Sequence, residues 1–181
     1  TDHDGADSDK KEYTYTAQIT KTDGTTGYYD VDLNGDETTH RVSNLNGSSS
    51  YTIREVKTVD GYYYFEDITT DTTEDGKNQS VTAVDNSINY QIAKVDDNGD
   101  YVQGVTLKLT DITDAENPIE VELPNNGITT NEPFKLDKKL IAEHTYELVE
   151  SEYVAGVYKA TNITFTVPKY GTGEVTTITM M

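Results

Sequence analysis

A chain of 181 residues suits one large domain or two small ones. Its 33 Asp and Glu against 14 Lys and Arg, a formal net charge of −19, exclude nucleic acid and an anionic membrane as partners, because both require positive surface. Cysteine is absent, so no disulfide holds the fold, and no run approaches the roughly 18 apolar residues of a membrane span.

Leu and Ala are scarce while Thr, Tyr, Val and Ile recur, a strand-forming composition. No signal-peptide pattern opens the chain, which reads as a mature fragment. Thr1 to Lys11 is polar and acidic and reads as a loop. Tyr13 to Ile19 alternates as a half-buried strand does. Thr22 to Gly27 is turn material, and Tyr28 to Leu33 is a second strand closed by Asn34-Gly35, a hairpin signal. His40 to Val42 leads through Asn44-Leu45-Asn46-Gly47 to a strand over Tyr51 to Val56. Gly61-Tyr62-Tyr63-Tyr64-Phe65 and Ser80 to Val84 are further strands, with Asp75-Gly76 between them.

Near Ser87 the chain starts again. Tyr90 to Val95 is a strand, Asp96-Asp97-Asn98-Gly99-Asp100 a turn, and Val105 to Leu109 the next strand. Asp111 to Asn131 contains Pro118, Pro124 and Asn126-Gly127 and has room only for short strands and loops. Phe134 to Leu140, where Lys135 to Glu143 has room for a short helical turn, precedes the strand Tyr146 to Glu150, and Asn162 to Val167 and Glu174 to Met181 complete the series. Short strands, frequent turns and no helical period predict an all-β protein of sandwiches or open barrels.

One pattern occurs twice. Tyr51-Thr52-Ile53-Arg54-Glu55 and Tyr146-Glu147-Leu148-Val149-Glu150 both run aromatic, x, aliphatic, x, carboxylate. Alternate residues of a strand share a face, so each glutamate points where its tyrosine and aliphatic residue point, into a core. Burying an acid is costly unless a partner is supplied. The repeat predicts two tandem modules of about 90 residues, 1–88 and 89–181.

Ile92-Ala93-Lys94-Val95-Asp96, then Gly99, then Gly104-Val105-Thr106-Leu107-Lys108-Leu109 resembles the opening of a Cna-B-like (collagen-adhesin B-type) pilin domain. Tyr146 to Glu150 resembles that family's glutamate box, and Ala160 to Val167 its penultimate strand. The likeness covers Asn89 to Met181. Residues 5–88 resemble a looser relative, through Gly5-Ala6-Asp7, Lys11 to Thr16, Val42 to Gly47 and Tyr51 to Glu55.

The resemblance implies two immunoglobulin-like (prealbumin-like) β-sandwiches, each closed by an intramolecular isopeptide bond. In the family a first-strand lysine joins an Asn or Asp of the last strand, assisted by the box glutamate. Burial favours the neutral amine and the protonated acid, which are the forms this reaction uses. On that pattern Lys94 is the amine and Glu150 the assisting acid of the second module. Glu55 and Asn86 are the acid and the acceptor of the first. The acceptor for Lys94, placed by the spacing of Glu55 and Asn86, falls at Met181, so Asn or Asp is expected beyond the sequence. The lysine for Asn86 is expected before Thr1. The alternative is a split module that captures its missing strand in trans.

The resemblance further implies a Gram-positive, extracellular, wall-anchored surface protein, consistent with an acidic, cysteine-free, all-β chain. Its partners would be neighbouring pilin or adhesin subunits, with a host protein or glycan as ligand of an adhesive surface. The chemistry would be self-modification, occurring once per molecule, and not enzymatic turnover. No cofactor or metal is expected. Asp30 to Gly35 resembles the start of a calcium loop, but Arg41 stands at the twelfth position, where Glu is required. His3, His40 and His144 form no metal or triad pattern. The rings of Tyr62 and Tyr64 are read as packing between strands or modules, with a sugar or protein ligand as the competing role.

Overall fold

The computed structural model describes residues 14–21, 29–34, 48–71, 77–152 and 159–181 of the chain. Thr1 to Lys11, Gly35, His40 to Gly47 and Asp75-Gly76 lie outside the described residues, and with them the signals read there. The described elements are strands apart from one short 3-10 turn. They fall into two compact units, Thr1–Val59 with Phe65–Val84, and Asp60–Tyr64 with Asp85–Met181.

In the first unit, β1 (Thr14–Lys21), β2 (Tyr29–Asn34), β3 (Tyr51–Lys57) and β4 (Ile68–Thr69) form one antiparallel sheet in the order β2-β1-β3-β4. β2 pairs with β1, and β3 pairs with the other edge of β1. Among the described residues, β2 pairs only with β1. Tyr51 and Glu55 are buried, as their shared parity requires.

The second unit has two sheets. β6 (Thr106–Asp111), β7 (Ile119–Val121), β9 (Thr145–Glu152) and β10 (Ile163–Thr166) form one, in the order β10-β9-β6-β7. β5 (Asn89–Lys94), β8 (Phe134–Asp137) and β11 (Thr176–Met180) form the other, in the order β11-β5-β8. Period-2 alternation drives both. Leu107 and Leu109 of β6 and Tyr146 and Leu148 of β9 are buried with Tyr90, Ile92, Phe134, Leu136 and Met180 of the opposite sheet. These side chains form one core, the layout of a β-sandwich.

β11 runs parallel to β5, with Tyr90 opposite Thr176 and Lys94 opposite Met180. The first and last strands of the unit thus lie side by side, joined only through the whole intervening chain.

Two expected strands do not form. Ser80 to Val84 is exposed and without a ladder among the described residues. Its apolar pattern resembles a strand, but strand structure is a property of pairing, and no described residue pairs with it. Gly61 to Phe65 contributes one bridge, Tyr62 to Ser87, and is otherwise held by side chains and single backbone bonds.

Candidate functional site

Glu150 is on β9 between the two sheets and is 0% exposed. Tyr146 and Leu148 precede it on the same buried face. One residue later the β6–β9 ladder shifts register: Leu107 faces Glu150, but Thr106 faces Glu152. The extra residue is Ser151, whose hydroxyl donates to Thr106 O at 3.1 Å. Such a bulge re-aims the side chain beside it.

Lys94 ends β5 with its side chain 3% exposed, and its Nζ lies 3.7 Å from Glu150 Oε2. The same oxygen accepts a hydrogen bond from Ala160 N at 3.3 Å. The other, Oε1, is buried with no hydrogen-bond partner among the described residues. A buried cation thus faces a buried anion whose second oxygen retains its lone pairs. Proton transfer from Lys94 to Glu150 would yield an amine and a carboxylic acid together without changing the net charge of the pair.

The position beside Lys94 on β11 is Met180, fully buried, while Met181 is exposed. The spacing taken from Glu55 and Asn86 placed the facing position at 181. In the ladder it is Met180 that stands opposite Lys94. Thr176 to Met181 holds no Asn or Asp.

Unit 1 repeats part of this design. Glu55 is buried on β3, and the β1–β3 register shifts immediately after it, with Ala17 opposite Glu55 and Thr16 opposite Lys57. Glu55 Oε2 accepts Phe65 N at 2.9 Å. In each unit the accepting glutamate and the donating amide are ten residues apart. Asn86 directs its carboxamide elsewhere: its Nδ2 donates to Gly171 O at 2.9 Å.

Two features escaped the sequence. The Asp111 carboxylate takes His144 Nδ1 at 2.6 Å and the Thr113 hydroxyl at 2.6 Å. Burial pushes the Asp111 carboxyl up, but the hydrogen bonds from Thr113 and His144 together outweigh it and hold it below the usual carboxylate value. Tyr90, Phe165 and Tyr146 form an aromatic stack with centroids 5.7 and 5.6 Å apart. Neither has a local motif, since both arise from strand register. No cluster of three or more metal-ligating side chains occurs among the described residues.

Tyr62 and Tyr64 are half-buried, under Lys138 at 4.6 Å and Lys169 at 4.8 Å. Each ring is thus covered by a lysine of unit 2. Asp96 makes the expected turn, accepting Gly99 N on its backbone and Asn98 N and Asp100 N on its carboxylate.

Residues 88–180 match the family model of the SpaA prealbumin-like fold domain. No curated protein matches the chain in sequence. Among solved structures, the pilus adhesin SpaC of Lactobacillus rhamnosus GG is similar at 15% identity and a TM-score of 0.39, over 94% of this chain and 28% of that one. A variant of the shaft pilin SpaA of the same organism is similar at 13% identity and a TM-score of 0.35, over 94% and 89%. A C-terminal fragment of SpaC gives 15%, 0.35, 98% and 90%. The chain therefore spans about a quarter of the length of the SpaC adhesin.

Proposed function

The chain belongs to the family of SpaA prealbumin-like fold domains, and from that membership we propose that it is a structural stalk module of a Gram-positive surface pilus or wall-anchored adhesin. It is built of two tandem β-sandwich modules, displayed outside the cell and joined to neighbouring subunits or domains. Its second module is closed by an isopeptide bond from Lys94, assisted by Glu150. The observation that supports this reading is the buried pair: Nζ 3.7 Å from Oε2, at the end of the strand that the unit's last strand accompanies.

In the reaction, Lys94 passes a proton to Glu150, and the resulting amine attacks the acceptor carbonyl while the Glu150 acid hydrogen-bonds to its oxygen. A C–N bond forms, Glu150 gives its proton to the leaving group as the C–N or C–O bond to it breaks, expelling ammonia from Asn or water from a protonated Asp, and the new amide nitrogen sheds its extra proton to the Glu150 carboxylate. The acceptor is not in Thr176 to Met181. It belongs either to residues that continue the line of β11 or to a strand of another chain, which is the split-module reading.

Intact mass decides between them. The parent protein, with its natural flanks, is expected to weigh about 17 or about 18 Da less than its sequence for each bond formed, and the Lys94→Ala variant to recover one such deficit relative to the parent. A full-weight parent that forms an adduct with an Asn- or Asp-bearing strand peptide would establish the second reading. Full weight and no adduct would overturn both. For the module read from the sequence over 1–88, Glu55 and Asn86 are proposed as the corresponding acid and acceptor, and the same mass measurement on Asn86→Ala tests them.

A further inference from the structure

Asp60–Tyr64 lies between two stretches of unit 1 in sequence yet packs as part of unit 2. Its backbone is fastened at four points. Gly61 N donates to Leu140 O at 3.1 Å, and Gly61 O accepts Ile88 N at 2.8 Å. Tyr63 N donates to Asn86 O at 2.9 Å, and Tyr64 N to Lys169 O at 3.0 Å. Tyr63 is 3% exposed and belongs to the sandwich core, with its hydroxyl hydrogen-bonded to Tyr90. Lys138 Nζ donates to the Tyr62 hydroxyl at 2.5 Å.

Two glycines, one on each side of the contact, make the room. Gly61 has φ +87°, and a Cβ there would stand 2.6 Å from Lys138 O and 2.9 Å from its Cα. At Gly171 the constraint is space alone: a Cβ would stand 2.5 Å from Cε2 of the Tyr63 ring. Both contacts are far inside van der Waals separation, so any larger residue would force the segment off. A glycine whose Cβ position is filled by an aromatic ring from a distant part of the sequence marks a fitted site.

We propose that Asp60–Tyr64 is a clasp. Unit 2 carries a binding site for a Gly-Tyr-Tyr-Tyr segment, formed by the chain around Asn86–Ile88, Lys138–Leu140 and Lys169–Gly171, and the chain's own upstream segment occupies it. The site lies at the start of β5 and on the approach to β11. Asn86 Nδ2 to Gly171 O (2.9 Å) and Asn89 Nδ2 to Gly173 O (2.8 Å) tie those two stretches together beside it. The clasp thus sets the register in which β11 meets β5 beside Lys94, and residues 88–180 alone do not make the complete unit. This holds whether or not Lys94 forms an amide.

The test uses the full chain and hydrogen exchange. Gly61→Ala is expected to speed exchange of the Ile88 and Tyr64 amides about tenfold or more while the β1–β3 ladder keeps its rates. Unchanged exchange at Ile88 overturns the clasp. A double-mutant cycle of Tyr63→Ala with Gly171→Ala guards against a Gly61 variant that does not fold. Gly171→Ala is expected to destabilise the wild-type background strongly and the Tyr63→Ala background little, because the ring it strikes is gone. Additive effects would show that Tyr63 does not occupy the space at Gly171 and would overturn the proposal.

Discussion

At the scale of single residues, the buried charges carry the largest consequences. In a chain without the amide, Lys94→Met leaves the Glu150 carboxyl without its partner in the core, and should cost about 3–5 kcal/mol of stability. Adding Glu150→Leu should recover most of that loss or exceed it, since replacing a whole buried pair with apolar side chains is often neutral or better. Urea unfolding midpoints of the two variants check this; equal losses would mean that the pair is not coupled. Asp85 presents the opposite sign. Its Oδ1 is buried with no partner among the described residues, and burial raises its pKa above 3.8. A raised carboxyl favours the folded state below its unfolded pKa, and that advantage is lost as pH rises through the folded value. Asp85→Asn should therefore unfold at a higher temperature than wild type at neutral pH and at the same temperature near about pH 3.

Among the elements, strand position was legible wherever alternation met a partner. Phe134 and Leu136 of β8 are buried and Lys135 and Asp137 exposed, as period 2 requires. Glu150 and Lys94 were legible because each shares parity with apolar neighbours. β4 and β7 were not, being two and three residues long and too short to show a period. Ser80 to Val84 misled because its Val and Thr content is local, whereas a ladder needs a second strand. The register shifts beside both glutamates were invisible for the same reason: a bulge exists only between two strands. The tie between the end of β6 and the start of β9, Asp111 to His144, joins residues 33 apart in sequence and has no local signal. Asp111 has its pKa lowered below 3.8 in the fold, so its contribution is present above that value and is lost as pH falls through the folded pKa. Asp111→Asn should lower the melting temperature at neutral pH and converge with wild type as pH falls through the folded pKa. A difference that persists undiminished in acid would mean that charge is not what the site uses.

For the whole molecule, the internal repeat was the most informative feature of the sequence. The described sheets have comparable orders, β2-β1-β3-β4 in one unit and β7-β6-β9-β10 in the other. Alkaline unfolding offers a global check on the core of unit 2. Burial pushes the hydroxyls of Tyr63 and Tyr146 up to about 12 from 10.0, with Tyr90 adding to the first and Asp111 to the second. Stability linked to them is complete below pH 10.0 and is lost as pH rises toward about 12. Replacing both by Phe should remove that loss, so that the doubly substituted chain unfolds at a higher pH than wild type.

The parallel pairing of β5 with β11 also fixes how the second unit answers a pull. Because Tyr90 faces Thr176 and Lys94 faces Met180, tension applied ahead of Asn89 and beyond Met180 drags the two strands lengthwise past each other. The ladder is then loaded in shear. Its bonds share the force and must fail together, where a hairpin pulled from its open end would surrender them one at a time.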